Sequence, residues 1–282
     1  MAKKTLFDTM QRTIATPEQL ETMDRDLSFH AASPQAAVTL TAQQVEAFNR
    51  DGHLMPLPLF DAGEIAVQSE FFEELVDEAR EAGCDAYSLI DKHLTRRRAY
   101  DLMFDPRLVS RVVDLIGPDV VCWTTHYFCK MPHDDNAVAW HQDAYYWPLS
   151  PSKAVSVWLA IDDVDSENAC MQYVSGSHLQ GKIPHRISRE EEKNVLRFTV
   201  DGVESYGRVV DVALKSGELS LHSDLLLHGS GANHSDRRRC GLTLRYVATD
   251  VHAAMDWSNT GVLICGEDRR GHWGNPPRPD RD

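Results

Sequence analysis

Apolar positions recur at helical spacing early in the chain and gather into short, β-prone runs later. Thr41-Ala42-Gln43-Gln44 has the form of a capping box, and Val45 and Phe48 give the next turn an apolar side. Asp51-Gly52 stops it before an extended segment at residues 53–60. A second helix is predicted over 105–117: Asp105 caps, Pro106 takes the first turn, Leu108, Val112 and Leu115 share a face, and Gly117 ends it. Beyond it the pattern changes. Residues 120–130 are rich in strand formers, and strand-like runs follow at 154–161, 209–212, 218–221 and 242–248, punctuated by Ser152, Gly176, Gly181, Gly217 and Gly231. Helices first and many short strands afterwards predict an α+β chain. Its C-terminal two-thirds should form a double-sheet, jelly-roll barrel with the early helices packed on one sheet.

The same pattern divides the chain. Residues 1–40 are polar and weakly periodic and are expected to be an N-terminal extension lying on the domain or partly mobile; 41–270 are the domain; 271–282, rich in Pro and charge, are an exposed tail. Glu190-Glu191-Glu192 reads as a solvated loop or short surface helix between strands.

Length and composition support one large core: 282 residues, 42% hydrophobic and 26% charged. The net charge of −14 argues against nucleic acid or an anionic membrane as partner, because no broad basic face is available to meet phosphates. Arg237-Arg238-Arg239 is a local exception. The polar residues that follow the first lysines set aside a secretory signal, and no apolar run approaches the roughly 20 residues that span a bilayer. A cytoplasmic protein is therefore expected. Six cysteines without a Cys-x-x-Cys pair fit reduced thiols in or near the core.

The sharpest chemical signal is Trp140-His141-Gln142-Asp143, because an i, i+2 pair on a strand aims both side chains to one side. Such a pair alone is often no more than two hydrogen-bonded side chains, so a third ligand from another strand is needed. Leu225-Leu226-Leu227-His228-Gly229-Ser230 supplies it through His228, with His222 as the competing histidine. Two His and one carboxylate on one face of an octahedron leave three positions open, the arrangement of iron(II) oxygenases. A 2-oxoglutarate cosubstrate chelated there leaves a distant carboxylate that wants a guanidinium. Arg239, eleven residues past His228, is placed to provide it, with the Ser230 hydroxyl beside it.

Four segments in order sharpen this reading. They are His141-Gln142-Asp143, Val157-Trp158-Leu159-Ala160-Ile161-Asp162-Asp163, Glu167-Asn168 through Ser175-Gly176-Ser177-His178, and His228-Gly229-Ser230-Gly231-Ala232-Asn233 with Ser235 and Arg239. Together with the Phe48-x-x-Asp51-Gly52 opening, they resemble the phytanoyl-CoA dioxygenase family over residues 41–251. The resemblance implies a cupin-like double-stranded β-helix, iron(II), 2-oxoglutarate and O2 as cosubstrates, and hydroxylation of a small molecule with release of succinate and CO2. It implies His141, Asp143 and His228 as iron ligands, Arg239 and Ser230 at the far carboxylate, and Trp158 and His126 as further cosubstrate contacts, with Lys92 a lesser candidate. The chain has Ser175-Gly176-Ser177-His178 where family members often have Pro-Gly-Ser-His, a change expected to alter a turn. Asp143 stands where related halogenases have Ala or Gly, which points to hydroxylation.

On the substrate side, Tyr145, Tyr146 and Trp147 directly follow the metal motif, although strand alternation would keep some of them from the cavity. Asn168 and Arg186, and after them Tyr173 and His185, are the other candidates. Aromatic groups could hold a quaternary ammonium, and Arg186 or His126 a phosphonate or carboxylate. A secondary metabolite is the third class. The alternative from another class is a non-catalytic barrel that binds metal or a small ligand as a sensor or store.

Overall fold

The computed structural model describes residues 13–84 and 87–282. The first twelve residues, on which the reading against a secretory signal partly rests, lie outside that range. In chain order the helices are α1 (Pro17–Thr22), α2 (Ala42–Asp51), α3 (Ala62–Glu81), α4 (Arg97–Leu102), α5 (Pro106–Ile116) and α6 (Asp143–Tyr146). The strands are β1 (His53–Pro58), β2 (Ser88–Ile90), β3 (Val120–Lys130), β4 (Val138–His141), β5 (Leu149–Ser150), β6 (Ala154–Ala160), β7 (Gln172–Ser175) and β8 (Arg186–Ile187), followed by β9 (Phe198–Thr199), β10 (Arg208–Asp211), β11 (Glu218–Ser223), β12 (His228–Ser230), β13 (Arg239–Ala248), β14 (His252–Ala253) and β15 (Val262–Cys265).

Two antiparallel sheets form the jelly roll. The larger runs β1-β11-β6-β13-β3-β15, with β2 also on β3; the smaller runs β10-β7-β12-β4. The strand period of two decides what each face of the large sheet meets. Val155, Val157 and Leu159 of β6 and Leu242 and Leu244 of β13 pack against Phe71, Phe72 and Leu75 of α3 and Leu108 and Val112 of α5. Each such buried side chain contributes about 2 kcal/mol. The alternate residues Trp158, Arg239, Thr243 and Arg245 line a cavity on the opposite face. A bulge where Arg245 pairs with Thr124 and Tyr246 with Cys122 leaves Trp123 as an extra residue, so Trp123 and Thr124 both reach that cavity.

The capping box at Thr41 and the cap at Asp105 start their helices as expected, Asp105 accepting the Arg107 N–H at 2.9 Å. Gly52 closes α2 at φ +79, where a Cβ would also lie 2.6 Å from Nδ1 of His178. The longest helix, α3, is an element the sequence reading passed over. Asp61 caps it by accepting from the N–H groups of Gly63 and Glu64. Glu190–Glu192 is a short 3-10 turn, in keeping with the expected surface segment.

The stretch leading into α2 and the C-terminal tail are both tied to the domain. Asp114 of α5 accepts the N–H groups of Val38, Thr39 and Leu40 at 2.9, 2.8 and 2.7 Å. At the other end the tail is largely exposed, yet Arg278 bonds Asp101 at 2.6 Å and Arg281 bonds Glu78 at 2.9 Å, laying it along α3 and α4. All six cysteines are free, four of them buried. Among the described residues no helix is long and apolar enough to cross a membrane.

Candidate metal centre

His141 is the last residue of β4, and its partner across the small sheet is His228, the first residue of β12. Their rings lie 4.1 Å apart. Each commits its Nδ1–H to a backbone carbonyl two residues back, His141 to Ala139 and His228 to Leu226, both at 2.9 Å. That fixes the tautomer and leaves the Nε2 lone pairs to converge.

Asp143 arrives differently from the expected strand pair. The strand ends at His141, and Asp143 opens the single turn α6, so a strand-to-helix junction, not alternation along one strand, brings it beside His141. Its Oδ1 is 3.8 Å from His141 Nε2, while Oδ2 accepts from Ser156 Oγ at 3.2 Å and has Arg245 Nε at 3.7 Å. Ligand atoms of His141, Asp143 and His228 lie within 4.8 Å of one another, and all three residues are buried. Burial pushes the His141 imidazole well below its ordinary range, with His228 adding to the effect, so it is held neutral and ready to donate a lone pair.

The surrounding motif residues hold this geometry. Gln142 turns away from the centre, gives its amide N–H groups to Gly181 and Leu225 at 2.8 and 2.6 Å, and accepts from the Ile183 N–H at 2.8 Å. Ser177 of the Ser-Gly-Ser-His turn accepts the N–H of Leu227 at 2.9 Å, directly before His228. His222 sits outside the three-residue group: its Nδ1 is hydrogen-bonded to Tyr173 Oη at 2.9 Å and its Nε2 is 3.9 Å from Asp143 Oδ2.

The cavity has a volume of about 370 Å³. On one side of the centre it contains Arg239, Ser230, Trp158 and His126, together as the sequence reading expected. Arg239 is fully buried, its Nε has no hydrogen-bond partner, and its guanidinium stands 5.1 Å from the Trp158 ring centroid. Trp158 fits because Gly241 faces it across the strands, where a Cβ would come within 2.1 Å of its ring. His126 Nε2 meets Ser88 Oγ at 2.5 Å. Lys92, in a turn after β2, does not line the cavity.

One residue here escaped the sequence reading. Lys130, at the end of β3 and opposite Arg239 in register, is fully buried and donates to Ser230 Oγ at 2.9 Å and to the Gly231 carbonyl. Burial, and then the Arg239 charge beside it, push its amine down to about 7. Its signal was a lysine ending a strand of otherwise buried residues, which a hydropathy pattern reads as a surface end.

On the other side lie aromatic groups. Tyr145, Tyr146 and Trp147 all line the cavity, because they belong to a helical turn and its exit, where strand alternation does not apply. Tyr145 stacks on His185 at 3.8 Å, and Trp147 meets Trp123 edge-on at 4.9 Å. Two expected substrate residues lie elsewhere. Asn168 is buried in a loop, where it accepts from the Asp165 N–H and donates to the Asp163 and Arg238 carbonyls, so it shapes that loop. Arg186 pairs with Glu192 and Asp201 outside the cavity. Both were drawn in by sequence proximity, and each already has its partners.

Two facing antiparallel sheets with a buried His–Asp–His group at the cavity between them define the class of double-stranded β-helix metal sites. Residues 48–241 match the phytanoyl-CoA dioxygenase (PhyH) family model, and the chain belongs to that family. It is 25% identical over 152 residues to the peroxisomal phytanoyl-CoA dioxygenase of Bos taurus, covering 52% of this chain and 45% of that protein. It is 30% identical over 140 residues to a probable alpha-ketoglutarate-dependent hypophosphite dioxygenase of Stutzerimonas stutzeri, covering 46% of each. The chain thus matches about half the length of these curated relatives. The apo structure of the non-heme monooxygenase ThoJ superposes with a TM-score of 0.66 at 27% identity, over 84% of this chain and 88% of that one.

Proposed function

We propose that this protein is an iron(II)- and 2-oxoglutarate-dependent dioxygenase that hydroxylates a small molecule. The observation that carries this reading is that one cavity holds both the three-residue ligand group and, beside it, a buried guanidinium that has no carboxylate partner among the described residues. The donor set suits iron: two imidazoles whose Nδ1 atoms are committed to backbone carbonyls and one carboxylate whose outer oxygen is held by Ser156. Bound iron with 2-oxoglutarate supplies the chemistry, in which O2, 2-oxoglutarate and a C–H bond give an alcohol, succinate and CO2.

The chain's own residues bind and orient. His141, Asp143 and His228 hold the metal. Arg239 meets the far carboxylate in a charge-assisted pair, Ser230 adds a hydroxyl, and Trp158 and His126 form the walls. Lys130 fixes the Ser230 side chain and adds positive potential. Tyr145, Tyr146 and Trp147 keep water from the reacting side and contact substrate. Six free thiols suit a reducing compartment, so we place the protein in the cytoplasm.

Incubation with iron(II), 2-oxoglutarate and O2 should yield succinate and CO2 even without substrate, at a slow uncoupled rate. His141→Ala, Asp143→Ala and His228→Ala should each cut metal content and succinate formation sharply, while His222→Ala should keep its iron. A non-catalytic binding barrel would be the correct reading if the metal-loaded protein formed no succinate across a broad substrate screen.

A further inference from the structure

Asp143 reaches the metal group on a turn too short to hold itself. A helix leaves its last four carbonyls without internal donors, and α6 has only four residues, so each of its carbonyls needs a donor from outside the helix. Arg25 supplies donors at its C-terminal end. Its Nη1 donates to the carbonyls of Ala144 and Trp147 at 2.9 and 2.8 Å, and its Nη2 to the Leu20 carbonyl at 3.3 Å. Glu21 and Tyr145 act on the Arg25 charge from further off, Glu21 being bonded to Lys182 at 2.5 Å.

A second route starts at the next residue. Asp26 donates its N–H to Ser150 Oγ and accepts the Ser152 N–H, both at 2.9 Å. Ser152 Oγ donates to the Asp224 side chain at 2.6 Å, and the Asp224 carbonyl accepts the Ala144 N–H at 2.9 Å. The turn is thus gripped at both ends from residues 25 and 26, which lie outside the 48–241 stretch that matches the family model. What it carries gives the grip a function. Asp143 opens the turn, Tyr145 and Tyr146 form its body and Trp147 leaves it, all of them lining the cavity. Asp143 Oδ1 has to stay near His141 Nε2, 3.8 Å away, for the three residues to meet one ion. A small rotation of α6 would carry that carboxylate and the aromatic groups off together.

We infer that Arg25 is a positioning residue for the metal centre: by bonding the carbonyls of α6 it holds Asp143 in place as a ligand. It acts through Asp143 alone, since His141 and His228 are fixed by β4, β12 and their own carbonyl bonds. This rests on the metal-binding part of the oxygenase reading.

The probe is cobalt(II), which takes the same donor atoms, titrated into the full-length protein and read by its visible ligand-field absorption. Arg25→Met should weaken cobalt binding about tenfold and shift the absorption bands; Arg25→Lys, which keeps a charged donor, should recover most of both. Neither effect should appear when Arg25→Met is combined with Asp143→Ala, because the ligand through which Arg25 acts is then gone. A general loss of fold would weaken cobalt equally in both backgrounds. Lys182→Met, which cuts the Glu21 tie of the same segment, should leave cobalt affinity unchanged. Wild-type cobalt affinity in Arg25→Met, the same loss with Asp143 removed, or an equal loss in Lys182→Met would each overturn the proposal. Without metal, hydrogen exchange of the peptide covering residues 142–147 should quicken in Arg25→Met, and unchanged exchange there would overturn it too. A wild type that bound no cobalt while showing that quickening would remove the oxygenase reading and leave Arg25's hold on the turn standing.

Discussion

Arg239 and Lys130 are two cations buried side by side, in register across β3 and β13, and Ser230 lies between their site and the metal group. A bidentate guanidinium–carboxylate contact outweighs one neutral hydroxyl. Arg239→Ala should therefore weaken 2-oxoglutarate binding by about 1–2 kcal/mol more than Ser230→Ala, as read from titration of the iron–cosubstrate absorption. Lys130 adds a pH dependence. Its amine is pushed down to about 7 by burial and then by Arg239, so it is charged below that pH and neutral above it. A carboxylate arriving nearby favours the charged form and takes up a proton when binding occurs above pH 7. Affinity for 2-oxoglutarate should therefore fall as pH rises through about 7, and Lys130→Met should flatten that slope while lowering affinity at pH 6. A slope that survives in Lys130→Met would assign the titration to another group.

At the scale of elements, α3 and α6 show what could be read from the residues and what could not. The capped helices at 41–52 and 105–117 and the strand at 120–130 were legible because cap, period and stop agree. The helix α3 carries the same grammar, Asp61 with Glu64 three residues later and Ile65, Phe72, Leu75 and Val76 on one side, so it too is legible in the residues. Its cap gives a test: Asp61→Ala should cost about 1 kcal/mol in denaturant melts and leave iron and 2-oxoglutarate affinity unchanged. A matching loss of affinity would show that α3 supports the cavity more tightly than its packing on the outer sheet face implies. The turn α6 is the opposite case. Four residues give no periodic signal, and tertiary bonds place them: Ala144 N–H on the Asp224 carbonyl at 2.9 Å, and Arg25 on the Ala144 and Trp147 carbonyls. The three residues that the structure brings together were therefore readable from residue type and spacing, but the geometry that delivers Asp143, and with it all three aromatics, was not. Asn168 and Arg186 failed for a related reason, since nearness in sequence does not reveal that a side chain's bonding capacity is already filled.

Across the whole molecule, a chain of net charge −14 encloses a cavity whose buried side-chain charges are mostly positive. Within salt-bridge distance neither Arg239 nor Lys130 has a carboxylate among the described residues; Asp134 acts on Lys130 only from further away. Such charges destabilise the ligand-free fold, because the unfolded chain would hydrate them. For Lys130 the sign is definite: its folded value lies below the ordinary 10.5, so the penalty is absent above about 10.5, grows as pH falls toward 7 and is constant below. Lys130→Met should accordingly raise the melting temperature of the metal-free protein, by more at pH 7 than at pH 10. Metal and cosubstrate should reverse the order. At a hundredfold excess over its dissociation constant, 2-oxoglutarate adds about 2.7 kcal/mol to the wild type, roughly 5 °C in a chain of this size, and less to the variant, whose affinity is lower. Thermal melts of both proteins, with and without zinc(II) and 2-oxoglutarate at two pH values, decide the point. If the metal-free Lys130→Met protein melts lower than wild type at pH 7, the lysine is a structural tie through Ser230 and Gly231, and its charge is not held in reserve for an anion.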